Sequence, residues 1–82
     1  MNYVYVIQDR SGKFYLGCTS DLKRRMIEHN SGKSKSTKGT EWNLVYYEAY
    51  VTFKAARKRE YRLKKHGRSK QLLYERIKDS LE

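Results

Sequence analysis

Apolar and aromatic residues concentrate in three strand-like runs and recur at helical spacing in three others. Tyr3-Val4-Tyr5-Val6-Ile7 is β-branched or aromatic throughout and predicts a strand. Lys13-Phe14-Tyr15-Leu16-Gly17 predicts its partner, across a turn in Asp9-Arg10-Ser11-Gly12. A three-residue loop, Arg10-Ser11-Gly12, puts Gly12 where a left-handed backbone is needed. That register pairs Asp9 with Lys13, Ile7 with Tyr15 and Tyr5 with Gly17. Side chains alternate across a strand, so Val4, Val6, Phe14 and Leu16 share an apolar face, and Tyr3, Tyr5, Tyr15 and Gly17 share the other. A slip of one residue would separate Tyr5 from Tyr15 and mix the apolar set. Opposite Tyr5, Gly17 marks either a strand end or bulge, or a place where a phosphate or ring approaches closely.

Thr19, Ser20 or Asp21 can cap a helix over Leu22 to Asn30, with Gly32 as its stop. Leu22 and Met26 form its buried stripe, with Arg25 and His29 beside it at the border of the core. Lys23 and Arg24 point more outward. By spacing alone, Arg25 reads equally as a solvated arginine, and His29 as a histidine at the negative end of the helix dipole. Residues 31–41, with Lys33, Lys35 and Lys38 among Gly, Ser and Thr, show no periodicity and predict a mobile loop. Trp42 to Val51 predicts a third strand, central or well covered, whose aromatics suit an amphipathic boundary better than a stacking platform.

Thr52 caps a helix from Phe53 to His66, and Gly67 ends it. Phe53, Ala56, Glu60 and Leu63 make its inward stripe. Glu60 is the sole acid among eight Lys/Arg between Phe53 and Arg68. An inward carboxylate needs a partner: a structural ion pair, for example with Arg25, or a hard divalent cation that also takes phosphate oxygens. Ser69 caps a last helix, with Leu73, Ile77 and Leu81 on its apolar face. The order β-β-α-β-α-α predicts an α+β domain, a small antiparallel sheet with helices against it, over residues 1–82.

Charge narrows the partner. Lys and Arg outnumber Asp and Glu by 19 to 9, a net charge of +10 on 82 residues, which points to a polyanion, nucleic acid first. No helix sets a bulky apolar face against its basic one, as membrane attachment would need, and no apolar run is long enough to span a bilayer. The first residues run straight into a strand pattern, so no secretory leader is expected, and the single cysteine, Cys18, agrees with a reducing, cytoplasmic setting.

Tyr3-Val4-Tyr5, then Tyr15-Leu16-Gly17, then Asp21-Leu22-Lys23-Arg24-Arg25 with His29, then Glu60 on a late helix stand in an order that resembles the GIY-YIG nuclease superfamily. The likeness is greatest to its small stand-alone bacterial members, and the chain is also similar to the N-terminal incision domain of the excision-repair nuclease, which suggests a link to DNA repair. The resemblance implies a three-stranded antiparallel sheet flanked by helices and metal-dependent cleavage of phosphodiesters, with DNA favoured over RNA. Carried over, Tyr5 and Tyr15 are the motif tyrosines, one of which orients or deprotonates the nucleophile. Arg25 holds the phosphate, His29 stands where the family has His or Tyr, Gly17 is the second motif's glycine, and Glu60 holds a single Mg²⁺ or Mn²⁺. Lys13, Lys23, Arg24, Lys33, Lys35 and Lys38 are candidate contacts to the phosphate backbone. Two positions depart from the pattern: Tyr3 replaces the first motif's glycine, and Cys18 stands where some members carry lysine.

A tyrosine with its ordinary pKa of about 10 is a poor base near neutrality. Positive charge must therefore lower it, or lower that of the attacking water. The competing reading is a catalytically idle nucleic-acid-binding module of the same fold, and a weaker one is a protein-interaction domain using its tyrosines. The small size leaves targeting to a protein partner, a homodimer or the shape of the substrate.

Overall fold

A computed structural model describes residues 1–32 and 39–81. The described elements run β1 (Asn2–Asp9), β2 (Phe14–Thr19), α1 (Leu22–Asn30), β3 (Trp42–Tyr50), α2 (Phe53–Lys65) and α3 (Gly67–Leu81). The three strands form one antiparallel sheet in the order β2-β1-β3. The architecture is α+β, with the expected β-β-α-β-α-α order.

The hairpin has the expected register, with Tyr5 opposite Gly17 and Ile7 opposite Tyr15. Asp9 fixes the turn: its carboxylate accepts from the Ser11 amide, the Ser11 hydroxyl and the Lys13 amide at 2.9, 2.7 and 2.9 Å. Gly12 takes φ +92°, the left-handed conformation the loop demands.

Alternation along β1 sends its side chains into two cores. Val4, Val6 and Leu16 pack with Ala56 and Leu63 of α2 and with Leu73 and Ile77 of α3, and Phe14 and Cys18 flank them. The Phe14 ring meets Tyr74 of α3 edge-on at 4.7 Å. Tyr5, Ile7 and Trp42 form the second core, against Tyr15 and against Leu22 and Met26 of α1. The sheet is thus a middle layer between α1 and the α2–α3 pair.

Several expectations are corrected. Trp42–Tyr50 is an edge strand, not a central one. The central place goes to β1, whose run Val4–Ile7 is buried on both faces, whereas β3 leaves Asn43, Leu44, Tyr47 and Ala49 exposed. A bulge opens where Val6 pairs with Tyr46 but Ile7 with Leu44. Phe53 is 53% exposed, because it opens α2 at its mouth, with the Arg57 guanidinium 6.0 Å from its ring centre. Leu81 is half exposed at the last turn of α3, past the end of the core. Gly67 does not stop α2 but begins α3. The turn is made by extended His66, whose carbonyl receives the Ser69 and Lys70 amides at 3.0 and 3.3 Å, so Ser69 lies inside the first turn rather than capping it.

The other caps are as expected. Asp21 accepts from the Arg24 amide at 3.0 Å, settling which of three candidates starts α1, and Thr52 accepts from the Ala55 amide at 3.1 Å. Gly32 follows α1 with φ +79°. The α1 end is tied to the sheet by Asn30, whose side chain donates to the Trp42 carbonyl at 3.1 Å and accepts from the Trp42 amide at 2.7 Å. No described helix is long and apolar enough to cross a membrane.

Candidate active site

Tyr5 is carried by the central strand and is buried, with its ring lying across β2 over Gly17. A Cβ at residue 17 would stand 2.4 Å from the Tyr5 hydroxyl and 2.5 Å from Cζ. The glycine is therefore required by the close approach of a ring, and that ring belongs to Tyr5. The one-turn spacing of Arg25 and His29 brings both to the same hydroxyl. Arg25 Nε donates to Tyr5 Oη at 3.3 Å, and His29 Nε2 lies 2.7 Å from it. Tyr15 completes the cluster through its ring, edge-on to His29 at 5.4 Å and to Trp42 at 6.2 Å.

His29 is more deeply placed than its spacing implied. It is fully buried, whereas Leu22 and Met26 of the supposed inward stripe are only half-buried. The ring closes the space between α1 and the two tyrosines, so α1 is docked as much by a polar contact as by its apolar residues. Arg25 also donates to Glu28 at 3.0 Å, which steadies the guanidinium from the solvent side.

The electrostatics set the protonation states. Burial, with the Arg25 charge second, lowers the His29 pKa below its ordinary value and favours the neutral imidazole. Burial also raises the Tyr5 phenol to about 12, although Arg25 pulls the other way through its hydrogen bond and its charge. Of the two expected alternatives, a lowered tyrosine pKa is thus absent in the free protein, which leaves a lowering of the pKa of the attacking water. Tyr5 stays protonated, accepts from Arg25 and shares a hydrogen bond with His29 whose direction follows the imidazole tautomer. The result is a chain of contacts from a cation, through a phenol, to an imidazole that is neutral at ordinary pH.

Glu60 is 7% exposed on the inward face of α2. Its ion-pair partners are residues of its own helix and not Arg25: Arg57 donates to one carboxylate oxygen at 3.0 Å, and Lys64 lies 3.1 Å from the other. Its charge nevertheless reaches Tyr5 and Cys18, adding to the larger effect of burial on each. The fit of a metal ion here follows from the donor set. Among the described residues no group of three or more His, Cys, Asp and Glu gathers. A carboxylate is the donor that a hard ion of the Mg²⁺ type takes, with water and phosphate oxygens completing its shell, and here both oxygens of Glu60 are held by Arg57 and Lys64.

Of the remaining candidates, Lys13, Lys23 and Arg24 are exposed on the β-turn and the first turn of α1. Lys33, Lys35 and Lys38 lie outside the described residues. Sequence reasoning missed Arg57 and Lys64, although their positions three before and four after Glu60 are those from which a helical side chain reaches it. It also missed Asn30, for which no periodic signal exists.

The profile of the GIY-YIG catalytic domain matches residues 1–76. A UPF0213 protein of Bacillus pumilus is 40% identical over 75 residues, which cover 89% of this chain and 76% of that protein. A UPF0213 protein of Halobacterium salinarum is 41% identical over 71 residues, covering 84% and 92%. The solution NMR structure of a UPF0213 protein from Bacillus halodurans superposes with a TM-score of 0.53 at 36% identity, covering 89% of this chain and 83% of that one. Motif order, fold and these relatives agree: the chain belongs to the GIY-YIG family, alongside the small UPF0213 proteins.

Proposed function

We propose that the chain is a metal-dependent endonuclease that hydrolyses nucleic-acid phosphodiesters, with DNA favoured over RNA. The observation that carries this reading is the placement of one buried hydroxyl, that of Tyr5, between the Arg25 guanidinium and the His29 imidazole. A phosphodiester is anionic and repels nucleophiles, so cutting it needs a proton acceptor beside the nucleophile and positive charge beside the phosphate. A neutral His29 with Nε2 unprotonated would supply the acceptor, and Tyr5 would pass its demand to the attacking water. Arg25, partly exposed and held by Glu28, can turn its guanidinium to phosphate oxygens in charge-assisted contacts. Tyr15 fixes the His29 ring from the side. Glu60 would hold a single Mg²⁺ or Mn²⁺, which, when bound, polarises the phosphate and stabilises the leaving oxygen.

The idle binding module draws on one observation, the rise of the Tyr5 phenol to about 12. A group that holds its proton this firmly is a donor at neutral pH, and an idle site would look the same. Cleavage separates the two readings. A panel of labelled DNA and RNA structures is incubated with Mg²⁺, Mn²⁺ or chelator, using the parent and Glu60→Ala. The nuclease reading expects metal-dependent cutting by the parent and a loss of at least about 100-fold in the variant, the scale for losing a group that stabilises developing charge. Binding without cutting under any metal would replace it with the idle module.

A further inference from the structure

The ion pairs of Glu60 point to more than a structural role. The carboxylate is nearly buried, yet both of its partners are largely in solvent: the Arg57 and Lys64 side chains are 61% and 51% exposed. A buried carboxylate cannot stand alone. Long exposed cations, by contrast, gain little from any one partner and leave it readily. Each of the two carboxylate oxygens is occupied, so a divalent ion arriving at Glu60 meets two positive charges already in place. A phosphate that shares an ion with Glu60 would therefore lie within reach of both side chains.

We propose that Arg57 and Lys64 are phosphate-binding residues that occupy Glu60 until nucleic acid arrives, so that substrate and divalent ion load the site together. The inference rests on the reading of Glu60 as the metal ligand. In the free protein the two cations satisfy the carboxylate. When a phosphate backbone enters, they exchange it for phosphate oxygens, and Glu60 becomes available to the ion. The exchange keeps every charge paired at both stages. By reciprocity, whatever the nucleic acid adds to metal affinity the metal adds to nucleic-acid affinity.

The test reads metal binding directly. Mn²⁺ is titrated into the parent, Arg57→Gln, Lys64→Gln and Glu60→Gln without nucleic acid, and free Mn²⁺ is followed by electron paramagnetic resonance. Both cationic positions are exposed and each cation variant leaves Glu60 one of its two partners, so the variants are expected to fold. Arg57→Gln and Lys64→Gln are each expected to bind Mn²⁺ about fivefold more tightly than the parent, the upper range of an exposed ion pair expressed as a ratio. Glu60→Gln is expected to lose the site. In a Tyr5→Phe background, the affinity for a labelled duplex is then compared with Mn²⁺ and with chelator. The tightening by Mn²⁺ should be smaller by a similar factor when Arg57 or Lys64 is also replaced. If Glu60→Gln loses Mn²⁺ while the two cation variants bind it no better than the parent, the exchange is wrong and the metal reading stands. If Glu60→Gln binds Mn²⁺ like the parent, or no protein of the set binds it, the metal reading falls and the exchange with it.

Discussion

Tyr5 and Gly17 form the pair on which the site depends, and they were legible as a pair. The apolar set Val4, Val6, Phe14 and Leu16 allows only one register, and that register puts the glycine opposite the tyrosine. What the residue string does not reveal is that the ring itself fills the space above the glycine. Gly17→Ala places a methyl group 2.4 Å from the hydroxyl it would have to displace. Tyr5 must then leave Arg25 and His29, and overpacking of this kind costs about 1–3 kcal/mol. The expected outcome is a drop in unfolding free energy of that size, measured by denaturant titration, with loss of cutting. His29 shows the opposite limit of a one-dimensional reading. Spacing placed it beside the apolar stripe, but whether a border residue turns inward depends on what the sheet offers it, here the Tyr5 hydroxyl and the Tyr15 ring. Glu60 was recognised as inward, and its partners were not, because its own helix supplies them.

At the scale of the elements, each side of the sheet is locked by a polar contact that is pH-sensitive. On the α1 side, burial holds His29 below its ordinary pKa of 6.5. The folded protein therefore binds this proton less readily than the unfolded chain, and the stabilisation is present above pH 6.5 and is lost as pH falls through the folded value. On the other side, Glu48 of β3 accepts from the Tyr46 and Tyr50 hydroxyls at 2.5 Å each and from Arg59 of α2 at 3.0 and 3.1 Å. Burial opposes its charged form, but the Arg59 and tyrosine hydrogen bonds prevail and hold it below its ordinary 4.5. Its contribution is present above pH 4.5 and lost as pH falls further. Acid should thus weaken the fold in two stages, the first starting below pH 6.5 and the second below pH 4.5, as followed by denaturant titration at each pH. Glu48→Gln should remove the second stage and lower stability at neutral pH by about 2 kcal/mol, less than for a fully buried pair because Arg59 is partly exposed. This clasp was not legible, since Glu48 reads simply as a polar position on a strand. The element order was legible, because period-two and period-3.6 patterns differ over even short windows. The rank of β3 in the sheet was not, because length and aromatic content do not distinguish an edge strand covered on one face from a central one; the unbroken run Val4–Ile7 was the better signal.

At the scale of the molecule, a net charge of +10 and a sheet that carries a tyrosine from its central strand to a helix-borne arginine and histidine converge on a single anionic substrate class. On the proposed function the basic residues spread over the surface draw a polyanion in, and their effect should weaken with salt. On the same reading the hydroxyl at the centre belongs to the chemistry and not to that attraction, so the two can be separated in one variant. Tyr5→Phe keeps the ring over Gly17 and every surface charge, and removes only the oxygen shared by Arg25 and His29. The most direct measurement is therefore cutting and binding by the parent and Tyr5→Phe on the same labelled strand, in the same metal and salt. Cutting lost by at least about 100-fold, with binding within about twofold of the parent, is the result the account predicts. Tyr5→Phe that cuts at the parent's rate would contradict it, and would leave the Arg25–Tyr5–His29 chain as a structural contact alone.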